Sequence, residues 1–426
     1  MSAPSSQVFQ ANNPSRWQRT KWGFRVFGVV LLLAGVVLSI ALTLIAHENP
    51  EIPLEGRAIK KVLTEDQPDY RASELGRRYR GFRKLISDKW AKGRGVGQNN
   101  QVLNLSNSSF FSDSVGIRAA FYVNWDPQSF FSLRKNISKI NLVLPEWFFV
   151  DPKADTLFSK MDPQAFDLIM ASGVKVMPML SNSYNSQFNG AALHRILNNP
   201  AKSERLIQDV VALLTKYNFA GINVDFEELN ESRNEVLTRF QQKLYTALHA
   251  KGFLVTQNVS PFNQDYDYSQ LAQYNDYLFL MAYDQHSEST PPGPICDQHW
   301  IQSAVNNLAA KVNPAKIVLN LAAFGYDWSS DTTQSLSYQE ALTVARESEG
   351  KVQFDNDTYN LHYKYYDGDN KIHDVYFTDA GTNFNTLRFA TEYGLAGTAI
   401  WRLGSEDNRL WDFYNLPMTK DALRHF

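Results

Sequence analysis

The chain has 426 residues, 44% of them hydrophobic and 13% aromatic, which supports a large buried core and excludes disorder as the dominant state. Lys plus Arg number 42 against 44 Asp plus Glu, so a formal net charge of -2 leaves no global field to recruit nucleic acid or another polyanion. The single cysteine, Cys296, excludes an internal disulfide framework and any Cys-x-x-Cys metal knuckle, so stability has to come from packing.

Residues 1–25 are polar and basic, with Arg16, Arg19, Lys21 and Arg25 ahead of an apolar run. That run, residues 26–46, holds no ionisable side chain and is rich in Val, Leu and Ile. At about 1.5 Å rise per residue it is long enough to span a hydrocarbon core, and it exceeds the roughly 7 to 15 apolar residues of a cleaved signal peptide. The expectation is one transmembrane helix, with residues 1–25 cytoplasmic by the excess of preceding cations and the remainder of the chain extracytoplasmic. Residues 47–114 read as a polar juxtamembrane stalk. Its cluster Arg77, Arg78, Arg80, Arg83 and Lys84 is read as a solvated helix face.

From residue 115 short apolar runs alternate with amphipathic stretches. The runs are residues 117–123, 140–144, 174–180, 221–226, 253–259, 277–282, 317–322 and 396–401. Between them lie helical patterns such as Leu206, Ile207, Val210, Val211 and Leu214, or Val236, Phe240, Leu244 and Leu248, with apolar residues three and four apart. Eight strands buried on both faces and interleaved with helices predict an α/β fold, a (β/α)8 TIM barrel over residues 115–426. The rhythm breaks at residues 331–393, where short alternating runs flank the turn Asp367-Gly368-Asp369-Asn370. This predicts a small α+β insertion between strands 7 and 8.

The fourth run reads Ala220-Gly221-Ile222-Asn223-Val224-Asp225-Phe226-Glu227. Side chains alternate across a strand, so Asn223, Asp225 and Glu227 share one face while Ile222, Val224 and Phe226 take the other. Carboxylates crowded together in a barrel raise one another's pKa, so a protonated acid beside an ionised one is expected at the C-terminal end, where barrel active sites sit. Met281-Ala282-Tyr283-Asp284 ends the sixth strand and Gly397-Thr398-Ala399-Ile400-Trp401 forms the eighth. Trp125, Trp147, Gln257, Asn258, Tyr326 and Trp328 stand at or just past predicted strand ends, the side on which barrel ligands bind. No HxH or HExxH spacing occurs, so no metal or other cofactor is expected, and no nucleophile elbow supports an acyl-transfer triad.

The fourth strand resembles the DxxDxDxE signature of glycoside hydrolase family 18, the chitinase-like barrels, and Met281 to Asp284 resembles that family's Met-x-Tyr-Asp. The resemblance implies that Glu227 is the general acid and that Asp225 orients the substrate's acetamido group. The acetamido oxygen attacks the anomeric carbon, and Tyr283 steadies the resulting oxazolinium; this is the substrate-assisted exception to the two-carboxylate rule. It further implies substrate contacts by Asn223, Asp284 and Trp401, with Trp401 under the sugar ring. Two positions depart from the signature: its first Asp is Ala220 and its middle Asp is Asn223. Asn223 can donate a hydrogen bond to Asp225 but cannot share its proton. Asn there resembles barrels acting on spore cortex and other wall glycans. The segments from Phe121 to Ser129 and Leu144 to Trp147 resemble the barrel of bacterial membrane proteins that join it to a polysaccharide deacetylase and a family 2 glycosyltransferase.

The expected function is therefore a glycosidase, anchored in the cytoplasmic membrane, that cleaves a β-1,4-linked glycan containing N-acetylglucosamine. A polysaccharide synthase or deacetylase is the implied partner. The competing expectation is a non-catalytic glycan-binding module that assists polysaccharide synthesis or export.

Overall fold

A computed structural model describes Trp22, Arg25, residues 27–36 and residues 116–415. The chain divides into two units, residues 1–57 and 58–426. In the first, residues 27–36 are helical, and Phe27, Val29, Val30 and Leu31 to Leu33 are all exposed. The rest of the expected span and the stalk at residues 47–114 lie outside the described residues. Among the described residues no helix is long and apolar enough to cross a membrane.

In the second unit eight parallel strand positions close into a barrel. They are β1 (Ile117–Tyr122), β2 (Leu142–Pro145, resuming as Phe148–Asp151), β3 (Lys175–Val176, resuming as Met179–Ser181), β4 (Gly221–Asp225), β5 (Leu254–Val259), β6 (Tyr277–Leu280), β7 (Ile317–Ala322) and β8 (Gly397–Trp401). Each pairs with the next, and β8 pairs with both β7 and β1, with Ala399 opposite Asn320 and Ala119. The strands alternate between two apolar layers, as a sheet covered on both sides requires. Phe121, Leu144, Met179, Leu254, Phe279, Val318 and Ala399 fill the barrel interior. Tyr122, Val143, Leu180, Val224, Val255, Leu278 and Leu319 face the helices.

The helices begin where the local chemistry directs. Asp126-Pro127 opens α1 (Pro127–Asn136), Asp162-Pro163 opens α2 (Pro163–Ser172) and Asn199-Pro200 opens α3 (Pro200–Tyr217). In each, the Asp or Asn side chain accepts a backbone N–H of the first turn, while proline occupies a position whose N–H has no helical partner. Gly173 and Asn218 end α2 and α3 in the left-handed conformation. Helix α4 (Glu235–His249) buries Val236, Leu237, Phe240, Leu244 and Leu248 along one stripe. The short α5 (Tyr268–Leu271), α6 (Gln298–Ala309) and α7 (Ala380–Tyr393) complete the helical layer.

Between β7 and α7 lies a five-stranded antiparallel sheet with the helix Tyr338–Glu347. The sheet begins at Gly325, ahead of the expected 331, because Gly325–Trp328 pairs with Ile372–Phe377 rather than extending β7. Residues 380–393 form barrel helix α7 instead of ending the insertion.

Candidate active site

Strand β4 centres the candidate site because its inner face carries Asn223 and Asp225, met by Thr256 and Asn258 of β5 and Ser181 of β3. Asn223 and Asp225 are buried in the barrel, and Glu227 continues that face past the strand's end, half-buried. The backbone of Glu227 is clamped by Asn182, just after β3: the Asn182 Oδ1 accepts the Glu227 N–H at 2.9 Å and its Nδ2 donates to the Glu227 carbonyl at 2.9 Å. The preceding carbonyl, that of Phe226, accepts from the buried Tyr266 hydroxyl at 2.8 Å. The general-acid candidate therefore sits on a backbone fixed from two neighbouring loops.

Burial and like charge set the protonation of this cluster. Desolvation raises the Asp225 carboxyl to about 6, against the pull of side-chain hydrogen bonds from Asn258 and Ser181. Desolvation also holds the Glu227 carboxyl well above the ordinary carboxylate range, and the charges of Asp225, Asp284 and Glu228 push it the same way. Asp284 is raised to about 6 by burial, although it accepts a hydrogen bond from the Tyr326 hydroxyl at 3.0 Å. Tyr283 is pushed well above its usual value, by burial first and then by Asp284, so its hydroxyl stays protonated as a donor. The arrangement offers two adjacent carboxyls, both raised above their ordinary range by burial, and a phenol raised with them.

The other expected site residues fall into two groups. Trp401 is half-buried at the end of β8, packed edge-on against Phe121 of the barrel interior with ring centroids 5.2 Å apart. Asn258 lies beside Asp225, donating from Nδ2 to Asp225 Oδ1 at 2.8 Å. Trp125 is 59% exposed at the barrel rim; its Nε1 donates to Glu146 Oε2 at 2.8 Å and the Arg402 guanidinium covers its ring at 4.3 Å. Tyr326 reaches the cluster through Asp284, from the insertion sheet rather than from β7. Trp328 stands on the same strand and donates from Nε1 to the Ser287 carbonyl.

Two expected site residues lie elsewhere, and the Asn223 amide is engaged by another partner. Trp147 is fully buried among Tyr122, Phe166 and Phe219 in the layer between strands and helices, because the break in β2 after Pro145 turns it away from the barrel mouth. Gln257 pairs in register with Val224 and Leu278, both outward-facing, so strand alternation places it on the face opposite Asp225. Asn223 does not donate to Asp225: its Nδ2 bonds Thr256 Oγ1 at 2.9 Å.

Sequence reasoning missed Glu146, Asn182 and Tyr266. Glu146 closes the first half of β2, and its carboxyl is raised by burial and by Asp225, with the hydrogen bond from Trp125 opposing. Its place directly after Leu144-Pro145 at a strand end was the available signal. Among the described residues no group of three or more His, Cys, Asp or Glu could hold a metal ion.

Comparison with known proteins places this geometry in context. The model of glycosyl hydrolases family 18 matches residues 119–407. An uncharacterized glycosylase, YvbX, of Bacillus subtilis (strain 168) is 24% identical over 305 residues, covering 68% of this chain and 88% of that one. The cortical fragment-lytic enzyme of the same organism is 23% identical over 251 residues, and the match spans 55% of this chain and 58% of the enzyme. Among solved structures, a chitinase from Chromobacterium violaceum ATCC 12472 superposes with a TM-score of 0.64 at 23% identity, over 70% of this chain and 97% of that one. The spore cortex-lytic enzyme SleL of Bacillus cereus gives 0.63 at 19% identity, over 71% and 74%. These structural likenesses establish the TIM-barrel fold.

Proposed function

The chain belongs to glycosyl hydrolases family 18, and from that premise we propose that it hydrolyses a β-1,4-linked glycan containing N-acetylglucosamine with retention of configuration. The observation that carries the reading is the Glu227 carboxyl at the barrel mouth, its backbone clamped by Asn182 and its pKa raised by burial and by Asp225 and Asp284. A protonated acid at a barrel mouth is what a glycosidic oxygen needs in order to leave.

In this mechanism Glu227 gives its proton to the glycosidic oxygen as the bond to the anomeric carbon breaks. The acetamido carbonyl oxygen of the same sugar closes on that carbon, forming an oxazolinium. Asp225 accepts the acetamido N–H and so opposes the positive charge, while the Tyr283 hydroxyl donates to the acetamido oxygen. Glu227, now a carboxylate, takes a proton from the water that opens the ring. A glycan without the acetamido group has no nucleophile on this route. The likeness to chitinases and cortex-lytic enzymes supports an N-acetylglucosamine polymer as the substrate class.

The test is release of reducing ends from N-acetylglucosamine oligomers by the full chain and by Glu227→Gln, with binding recorded in parallel. Cleavage should fall about 10²- to 10⁴-fold in the variant while binding persists, the worth of general acid catalysis alone. Binding without cleavage by either protein rejects the hydrolase in favour of a glycan-binding module.

We further propose that residues 26–46 anchor the chain in a cytoplasmic membrane, with the barrel extracytoplasmic. The absence of any ionisable side chain across the run and the exposure of every described large apolar side chain on the helix over residues 27–36 support it. Expressed in a bacterium, the full chain should sediment with membranes through a high-salt wash, and a chain lacking residues 1–46 should be released. Equal sedimentation of both would reject the anchor.

A further inference from the structure

We propose that Asn258 is the positioning residue of the catalytic carboxylate pair, holding Asp225 from the neighbouring strand in the place that Asn223 has vacated. The inference rests on the glycosidase reading and deepens it. Asn223, the neighbour of Asp225 along β4, points its amide nitrogen at Thr256 on β5. It therefore neither donates to Asp225 nor, being an amide, can share a proton with it. Asn258, two residues beyond Thr256 on β5, donates instead to Asp225 Oδ1 at 2.8 Å. Both amides are buried, at 0% and 1% exposure, and the Oδ1 of each has no protein partner.

The placement is set by sheet register. Thr256 pairs with Asn223 and Gln257 with Val224, so the next step of the parallel ladder brings Asn258 alongside Asp225. A donor carried by a paired barrel strand has little freedom to swing away. Its contact holds Oδ1, and Ser181, paired with Asp225 from β3, adds a second side-chain hydrogen bond to the same carboxylate. Because the Asn258 donor binds only an acceptor oxygen, it favours the ionised form of Asp225. The charges around Asp225 favour the opposite state: Glu227 on its own strand and Glu146 after β2, with the phenols Tyr283 after β6 and Tyr266 after β5 beside them. Arg402, after β8, bears on Glu146. Asn258 thus does by hydrogen bonding, and without exchanging a proton, what a carboxyl neighbour does by sharing one.

The experiment compares Asn258→Ala, Asn258→Asp and Asn258→Ser with the parent protein on N-acetylglucosamine oligomers across pH. Thermal melts confirm that each is folded. Loss of the donor in Asn258→Ala should lower kcat about 10- to 100-fold, the worth of one hydrogen bond to a charged group, with KM within about threefold, whereas Asn258→Asp, which can share a proton with Asp225, should lose less. The acidic limb of the rate profile should move to higher pH, and Asn258→Ser, which keeps a donor, should recover most of the rate. In parallel, the Asp225 carboxyl is titrated by carbon NMR in Glu227→Gln with and without Asn258→Ala, a measurement that needs no turnover. An upward shift on removing Asn258 supports the positioning role. An unchanged titration, or kcat within twofold of the parent with an unmoved acidic limb, overturns it. Failure of the parent protein to cleave any oligomer would strike the glycosidase reading alone, because the titration still reports on Asn258.

Discussion

In the proposed mechanism the protonation of two carboxyls decides whether the site can work. Asp225 is raised to about 6 by burial, and Glu227 is raised by burial and by the Asp225 charge, so the pair loses its protons in two steps rather than at two independent values. The productive form has Asp225 ionised and Glu227 protonated. The rate of cleavage should therefore climb as pH rises through about 6 and fall again once Glu227 ionises, giving a bell whose basic limb lies well above the ordinary range of a glutamic acid. Recording kcat/KM from pH 4 to 9 checks this, and Glu227→Asp or Asp225→Asn should reshape opposite limbs. A profile flat between pH 5 and 8 would show that the pair does not carry the chemistry. Tyr283 belongs to the same reckoning: at these pH values its hydroxyl stays protonated, so it contributes a donor and no limb of its own.

Among the elements, β4 is the one that cannot be altered without moving the site. Gly221 opens it, and a Cβ there would lie 2.1 Å from the Leu254 carbonyl oxygen of β5, a backbone atom that cannot step aside. Gly221→Ala must then push β4 and β5 apart at the end opposite the carboxylates, and the register that brings Asn258 to Asp225 would be strained with it. The expected cost is about 1 to 3 kcal/mol of stability, as for other overpacked interiors, with cleavage reduced more steeply than binding. Urea unfolding of the variant measures the first, and a midpoint equal to the parent's would contradict the close approach.

Element by element, the barrel strands were legible because a strand buried on both faces needs an unbroken apolar run, and all eight runs from residue 117 to 401 coincide with strand positions. What lay beyond reach was the direction of single side chains near strand ends. Gln257 and Asn258 are adjacent and were read alike, yet period-two alternation sends one to the helices and the other to Asp225. Trp147 was misplaced because the break in β2 resets that alternation. Asn182 went unseen because its two bonds to Glu227 span 45 residues, and no local pattern encodes a contact of that reach.

For the molecule as a whole, the same carboxyls that equip the site tax its stability. Asp225 and Asp284 have folded values of about 6 against 3.8 for the ordinary side chain, and Glu227 is raised well above its own ordinary range. Unfolding releases protons from all three between those limits, so their favourable contribution is complete below about pH 4 and is lost as pH rises through 6 and beyond. At the surface the balance reverses. Asp331, bonded to Lys371, and Asp151 and Asp367, held by backbone N–H groups, are lowered and contribute only while ionised, so their support fades below about pH 4. The protein should be most resistant to heat near pH 4. Glu227→Gln removes a buried charge that only high pH creates, so it should raise Tm by about 2 °C or more at pH 8 and hardly at all at pH 5, while abolishing cleavage. Scanning calorimetry at the two pH values separates this from a simple packing effect, which would move both melts together. A variant that melts lower than its parent at pH 8 would mean that the Glu227 charge is compensated in the folded protein, and the general-acid assignment would lose its physical basis.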